Sequence, residues 1–477
     1  MADIDDLLAD IESGPQGPEV GAFFDFDGTL IDGYSAALYF RDRLTSGDIG
    51  VSELFQTLIE IFNMQQRGHD VTRLVEVALG SLAGRDRAEI ERFSQELWRS
   101  KVAAKVYPEA RRLVAAHLAA GHTVAMASSA TRFQAQDAAA DLDIEHLLVT
   151  EVEDEDGVLT GKVAGPILWG PGKAEAVVAF AAERGVDLDQ SYAYGNGAED
   201  LLYLETVGRP RPLNADGGLT AAAKERGWRV YRLTRHLRFN PVAVVRSAAS
   251  LAGLGTGVAT GLGLGLVNRD RRTALEVAST VGSQLSLAAA GVKLDVIGEE
   301  NLWSARPAVF VFNHQSQLDV AVLGSLMRRD FTGVAKKELK RDPTFAAIGW
   351  LADIAYVDRT DVTAAKAALE PAVESLRKGT SLVIAPEGTR SPTPRLLPFK
   401  KGAFHLALQA KVPMVPVVIR NAGEIMAPHS FLINSGTVQV AVLPPISTAR
   451  WTTRTLDRQV ARVRQMFLDT LADWPTG

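Results

Sequence analysis

His314 and Asp319 stand with four residues between them, directly after the apolar run 308–312 and Asn313. The run is β-branched and aromatic and reads as a buried strand. An imidazole delivered to a strand end, with an acid one turn later, is arranged as a general base that is oriented and kept basic. No serine or cysteine has to complete it, because the attacking hydroxyl can belong to a substrate. Alone, the motif reads equally well as a capping asparagine and a histidine satisfied by a nearby acid. A second constellation lies near the start, where the strand-like 20–24 runs into Asp25-Phe26-Asp27-Gly28-Thr29. Two aspartates one residue apart point to the same side of an extended segment. At a strand's carboxyl end they can share a hard divalent cation while one attacks phosphorus. The bland alternative is an acidic turn.

Other elements must position these groups. After Asp319 come Lys336 and Lys337 beside a short apolar segment, a strand 355–357 leading to Arg359, and a strand 381–385 running into Glu387-Gly388-Thr389-Arg390. Residues 412–419 are strand-like but hold Pro413 and Pro416, which should keep them out of a central strand. Residues 359–379 read as a helix that Pro371 would kink, and 456–474 as an amphipathic terminal helix. Around the aspartates, a strand reaches Ser128, Pro171-Gly172 opens a helix carrying Lys173, and a strand 191–195 leads to Asn196 and Asp200. The helix-period stretch 33–105, including 54–62, separates the first two of these blocks, and 151–162 reads as a hairpin about Asp156-Gly157.

The four C-terminal blocks, in this order over residues 285–445, resemble the glycerolipid acyltransferase family, and within it the 1-acylglycerol-3-phosphate acyltransferases. The resemblance implies an α/β domain that transfers an acyl group from acyl-CoA or acyl-carrier protein to lysophosphatidate, making phosphatidate. His314 would take the hydroxyl proton and Asp319 would hold its tautomer. Arg359 and Arg390, with Glu387, Gly388 and Thr389, would surround the acceptor's phosphate, and Lys336 would add positive potential. A different acceptor, such as a glycolipid or an amine, is the alternative.

The N-terminal blocks resemble haloacid-dehalogenase-superfamily phosphatases, particularly the phosphoserine phosphatase branch. That implies a Rossmann-like domain with a helical cap, in which Arg67 and His69 could meet substrate. Asp25 would be the nucleophile and Asp27 the acid and then the base. Ser128 and Lys173 would bind the phosphoryl group, and Mg²⁺ would lie among Asp25, Asp27, Asn196 and Asp200. Asn196 departs from the family, which opens this loop with an aspartate. Two readings follow: a Mg²⁺-dependent phosphatase of unknown substrate, or a weakened scaffold or regulatory module.

The expected organisation is a flexible 1–19 with a short helix over 5–11 and a loose linker 14–18, a phosphatase-like domain 20–238 with its cap at 33–105, a membrane-associated segment 239–284, and an acyltransferase domain 285–477. Net charge −6 argues against a nucleic-acid binder, and the absence of cysteine excludes disulfides and thiolate sites. The N-terminus lacks the basic and apolar pattern of a secretory signal. The uncharged run 247–267 has 21 residues, about 31 Å of helix, near the thickness of a bilayer core. Arginines flank it, and six glycines lower its hydrophobicity. The expected location is the cytoplasmic face of the membrane. Peripheral or in-plane attachment as a hairpin with 273–290 is preferred, and a single pass or a soluble linker helix are the alternatives. Small residues at close spacing also suit helix packing or a homo-oligomer contact.

Overall fold

The computed structural model describes residues 4–46, 79–233, 241–336, 355–357, 370–428 and 430–475. The chain divides into two compact units, Met1–Arg238 and Phe239–Gly477.

In the first unit the elements run α1 (Ile4–Ser13), β1 (Val20–Phe24), α2 (Ser35–Ser46), α3 (Arg87–Leu97), α4 (Pro108–Ala119), β2 (Thr123–Thr131), α5 (Arg132–Asp141), β3 (His146–Thr150), β4 (Val152–Glu155), β5 (Val158–Val163), α6 (Pro171–Arg184), β6 (Asp187–Gly195), α7 (Leu201–Leu204), β7 (Arg209–Pro212) and α8 (Gly217–Arg226). Five strands form a parallel sheet in the order β3-β2-β1-β6-β7. The unbroken apolar run of β1 follows from its central place. Alternate side chains point to opposite faces, so Val20, Ala22 and Phe24 join the core shared with α1 and α4, while Phe23 joins that under α6 and α7. A sheet covered on both faces needs apolar residues at every position. The expected hairpin forms from β4 and β5, with Asp156 and Gly157 both at positive φ in its turn.

The expectation of a flexible N-terminus is overturned. Leu7 and Ile11 of α1 are fully buried in the core, and one apolar stripe on the helix suffices to anchor it. Nor is 14–18 loose: Gly17 N donates to the Ala120 carbonyl (3.1 Å), and the Pro15 carbonyl bonds His122 Nε2 (2.8 Å). Helices α2 and α3 agree with the helical stretch 33–105; residues 54–62, Arg67 and His69 lie outside the described residues.

The second unit contains α9 (Pro241–Asn268), α10 (Arg271–Ala290), β8 (Val292–Ile297), β9 (Val309–Phe312), α11 (Leu318–Met327), β10 (Phe331–Lys336), β11 (Ala355–Val357), α12 (Glu370–Arg377), β12 (Ser381–Ile384), α13 (Gly402–Ala410), β13 (Met414–Ile419), α14 (Ala422–Ile425), β14 (Gly436–Val442) and α15 (Leu456–Ala472). Its seven-stranded sheet, ordered β11-β10-β12-β9-β13-β14-β8, is parallel except between β13 and β14. Strand β9 repeats the logic of β1: Phe310 and Phe312 enter one core, and Val309 and Val311 the other.

Strand β13 is central, contrary to expectation. Pro413 precedes it. Pro416 lies where the β13–β14 ladder is interrupted, between the pair Val417–Val442 and the isolated bridge Met414–Ile446, so its missing N–H breaks no ladder bond. Pro371 lies in α12; the part of the expected helix that precedes Glu370 lies outside the described residues, and the expected kink with it. The terminal amphipathic helix forms as expected, with Val463 and Phe467 of α15 fully buried.

Helices α9 and α10 form a hairpin, and the glycines of α9 are its seam. A Cβ at Gly257 would stand 2.2 Å from Gly282 Cα, and one at Gly261 2.3 Å from the Ala274 carbonyl. At Gly253 and Gly265, one turn further out on each side, a Cβ would also crowd α10, at 2.8 Å from Ser286 N and 2.4 Å from Ala274 Cβ. Small residues every fourth position let two backbones approach closely. The opposite face of α9 leaves Val245, Leu251, Leu266 and Val267 exposed.

Candidate active sites

The first site lies at the carboxyl ends of β1 and β6, neighbours at the point where the sheet changes its direction of winding. Open parallel sheets leave a crevice there. Lys173, in the first turn of α6 and only 4% exposed, places its Nζ 2.8 Å from Asp25 Oδ1 and 2.6 Å from Asp200 Oδ1. Burial alone would favour the neutral amine, but the two carboxylates outweigh it and keep Lys173 charged. Burial pushes the Asp25 carboxyl up, to about 7, with Lys173 pulling the other way. Asp27 is pushed up to about 6, again by burial, although it accepts bonds from Ser35 N (2.7 Å) and Ser35 Oγ (3.0 Å). A carboxyl that titrates near neutrality is suited to giving and taking a proton. Ser128 is buried, and its Oγ accepts from Ala130 N (3.3 Å).

Asp200, expected among the cation ligands, is turned toward Lys173 and its own loop. Its Oδ1 binds Lys173, and its Oδ2 accepts from Asn196 N (2.9 Å) and Gly197 N (3.3 Å), so both oxygens are engaged in shaping the loop. The groups that do converge are Asp25 Oδ2, the Asp27 carbonyl and the Asn196 amide. Such oxygen-bearing groups fit a hard cation such as Mg²⁺, with one carboxylate among them.

The second site is built on the loop between β9 and α11. Asn313 is clamped to β13, bonding both the N–H and the carbonyl of Ile419 (2.7 Å each). That fixes the direction in which His314 leaves the sheet. The His314 Nδ1 lies 2.8 Å from Asp319 Oδ2, with Asp319 fully buried at the start of α11 and the His314 side chain 22% exposed. An ionised carboxylate only accepts, so Nδ1 carries the hydrogen and Nε2 is left to take a proton. Asp319 Oδ2 also accepts from Gln315 N (2.8 Å) and Ser316 N (2.9 Å), which locks it in place. The helix N-terminus further favours its charge.

Glu387 does not point at a ligand. It is buried, with Oε1 accepting from His314 N (2.8 Å) and Oε2 from Leu397 N (2.8 Å), so it ties the histidine loop to the 390s loop. This corrects its expected place around a phosphate: it is a positioning residue. Burial raises its carboxyl to about 7 against those two N–H groups. Only an ionised carboxylate accepts two N–H bonds on two oxygens without presenting a proton to either. Glu387→Gln would set an NH₂ against one backbone N–H, and turnover is expected to fall by about 10²-fold, the cost of displacing a base by about 1 Å. The same property gives a pH dependence. The folded-state value lies above the ordinary carboxyl value, so this residue's contribution to stability is greatest below about 4.5 and declines as pH rises to about 7. Over the approach to pH 7 the ionised, positioning form accumulates. Urea midpoints against pH should flatten in Glu387→Gln over that window; an unchanged slope would assign the titration elsewhere.

Gly388 has φ 75°, a conformation glycine adopts without strain, and Lys400 lies against it: a Cβ there would be 3.0 Å from Lys400 Nζ. Ser391 N donates to the His314 carbonyl (2.7 Å), which brings Arg390 beside the histidine loop. The guanidinium of Arg390 is half-buried, burial lowers its proton affinity, and Asp319 opposes that shift. Its Nη1 is buried without a hydrogen-bond partner among the described residues. Thr389 is exposed. Lys336 ends β10, its side chain outside the described residues, and Arg359 lies outside them altogether. Lys400 and the clamp made by Asn313 were not singled out by sequence reasoning. The first is announced only by the pair Lys400-Lys401, and the second depends on a strand 106 residues away.

Residues 293–420 match the Acyltransferase family, and residues 22–205 match the haloacid dehalogenase-like hydrolases. The 1-acyl-sn-glycerol-3-phosphate acyltransferase of Saccharomyces cerevisiae is 40% identical over 189 residues, 38% of this chain and 61% of the yeast protein. The chain thus spans less than two thirds of that relative. A Mycobacterium tuberculosis protein named as a hydrolase, MT0526, is 32% identical over 225 residues, 45% of this chain and 71% of that protein. The crystal structure of the 1-acyl-sn-glycerophosphate acyltransferase PlsC from Thermotoga maritima is 20% identical, with a TM-score of 0.42, covering 49% of this chain and 98% of that one. The first unit therefore belongs to the haloacid dehalogenase-like hydrolases, and the second carries a domain similar to the acyltransferases over residues 293–420.

Proposed function

We propose that the second unit transfers an acyl group from a thioester to the free hydroxyl of 1-acylglycerol-3-phosphate, making phosphatidate. The observation that carries the reading is the His314–Asp319 pair together with the half-buried Arg390 of the adjoining loop, whose Nη1 has no hydrogen-bond partner among the described residues. The acceptor hydroxyl meets His314 Nε2, which removes its proton as the oxygen attacks the thioester carbonyl. The tetrahedral intermediate collapses with loss of the thiolate, which takes up a proton, and no acyl-enzyme forms. A guanidinium nitrogen without a protein partner is satisfied by a phosphate, whose oxygens suit the planar fork. Arg359, Thr389, Gly388 and Lys336 complete that phosphate site in this reading. The donor is acyl-CoA or acyl-carrier protein.

The test is thioester consumption with lysophosphatidate and with monoacylglycerol. Arg390→Ala is expected to raise KM for lysophosphatidate about 10- to 100-fold, the worth of a charge-assisted hydrogen bond of ~1.5–3 kcal/mol. The rate on monoacylglycerol should be left nearly unchanged. An equal loss on both acceptors would refute the phosphate assignment and favour another acceptor.

The α9–α10 hairpin is proposed to lie in the plane of the membrane surface, on its cytoplasmic face. Only α9 among the described helices is long and apolar enough to cross a bilayer. Its turn, however, carries exposed Arg269, Asp270, Arg271 and Arg272, which are costly to bring across hydrocarbon. Exposed Val245, Leu251 and Leu266 supply the apolar face, and the arginines meet anionic headgroups.

The first unit is proposed to be a Mg²⁺-dependent phosphomonoester hydrolase. Asp25 would be the nucleophile, Asp27 the acid and base, and Ser128 and Lys173 would bind the phosphoryl group. Mg²⁺ would be held by Asp25, the Asp27 carbonyl and Asn196, and when bound it neutralises charge on the phosphoryl group in flight. Phosphate release from a panel including phosphoserine and lysophosphatidate, compared with Asp25→Asn, tests this. No turnover of any of them would favour a scaffold.

A further inference from the structure

Lys400 is an exposed cation held against the second site. The arch 387–391 is tied at both ends to a single residue: Glu387 Oε1 accepts from His314 N (2.8 Å), and Ser391 N donates to the His314 carbonyl (2.7 Å). Each residue adds at most about 3.5 Å of reach, so Gly388, Thr389 and Arg390 stay close to the histidine. Lys400 N donates to the Pro386 carbonyl (2.7 Å), which sets the lysine beside the start of this arch. Its side chain then runs along Gly388: a Cβ there would stand 3.0 Å from Lys400 Cδ and Nζ and 3.1 Å from Cε. A side chain at 388 would take the space that the ammonium uses.

The next lysine behaves otherwise. Lys401 Nζ pairs with Asp457 Oδ1 (2.6 Å), the ordinary fate of a lysine at a surface. Lys400 Nζ makes no ion pair or hydrogen bond among the described residues. Arg390, two positions beyond Gly388, brings a guanidinium whose Nη1 also lacks a partner among them. Two cations on one short arch repel each other, and an anion between them turns that repulsion into attraction.

In lysophosphatidate the reacting hydroxyl and the phosphate ester sit on adjacent carbons of the glycerol. With the hydroxyl at His314, the phosphate falls within reach of the arch. A phosphate monoester carries a charge of about −1.5 to −2 at pH 7, more than one guanidinium balances. We propose that Lys400 binds the acceptor's phosphate together with Arg390 and selects its dianion, the lysine as a point charge and the arginine as a fork. The proposal rests on the acyl-acceptor reading for the identity of the phosphate.

The test is initial-rate kinetics of the full chain, Lys400→Gln and Lys400→Arg, with lysophosphatidate and the thioester varied separately. In Lys400→Gln the KM for lysophosphatidate should rise about tenfold, the low end for a charge-assisted bond because the lysine is exposed. The kcat and the KM for the thioester should hold within about twofold, and Lys400→Arg should recover most of the loss. The ratio of the lysophosphatidate KM values, Lys400→Gln over natural chain, should grow as pH rises through about 6, where the phosphate gains its second charge. An unchanged KM for lysophosphatidate would overturn the proposal, as would a ratio indifferent to pH. A rise in the thioester KM instead would assign Lys400 to a phosphate of the donor and overturn it too. Binding of glycerol 3-phosphate, followed by phosphorus NMR, separates this proposal from the reaction. Binding that weakens in Lys400→Gln, in a natural chain without transfer to lysophosphatidate, would sink the acceptor reading and leave the phosphate site standing. Equal binding by the two chains would sink the site.

Discussion

Acyl transfer to lysophosphatidate is expected to fall by about 10³-fold or more in His314→Ala, toward the upper end of the ~10²–10⁴ range for a positioned general base. Folding should be almost untouched. The ring is partly exposed, and Asp319 keeps the Gln315 and Ser316 N–H groups when the ring is gone, so no buried charge is stranded. The measurement is thiol release from an acyl thioester, with circular dichroism and urea midpoints to show that the chain is intact. An intact variant that loses less than tenfold would show that the base lies elsewhere.

The second large effect separates what Asp319 does by its charge from what it does by its position. All three donors, His314 Nδ1 and the N–H groups of 315 and 316, meet on Oδ2, while Oδ1 is buried with no partner among the described residues. In Asp319→Asn the amide oxygen can take the place of Oδ2 and keep all three bonds, with its NH₂ in the space of Oδ1. The tautomer of His314 is then preserved, and only the charge that balances the imidazolium is lost. Turnover should fall by about 10²-fold, less than the ~10⁴ seen where an asparagine imposes the wrong tautomer. Stability should drop by about 1–3 kcal/mol for the buried, unpartnered amide. Asp319→Ala loses charge and position together and should approach the loss in His314→Ala. Equal losses in the asparagine and alanine variants would show that the tautomer is not held in this way.

Glu387 shows how a motif's order can be read while its roles are not. Glu-Gly-Thr-Arg marked the loop after β12, and Arg390 does stand beside the histidine. The two oxygens of the glutamate are taken by backbone N–H groups 73 residues and 10 residues from it in the chain. Asp200 carries the same lesson in the first unit, where a lysine from α6 and two N–H groups take both its oxygens.

The sequence by itself determined the elements and their chemistry. The apolar runs of β1 and β9 announced strands covered on both faces, and the acids and the imidazole at their ends announced proton and phosphoryl transfer. Those signals are local: side-chain alternation, residue type and spacing within a few positions. What only the tertiary structure decided is long-range. It made β13 a central strand because a gap in its ladder accommodates Pro416, anchored α1 through Leu7 and Ile11, and turned the glycines of α9 into a seam with α10. It also brought the Asn196 amide onto two oxygens of a loop about 170 residues earlier, since β6 pairs with β1. A hydrogen bond depends on where donors and acceptors meet in space, and the spacing of residues along a chain does not specify that when the partners come from different strands.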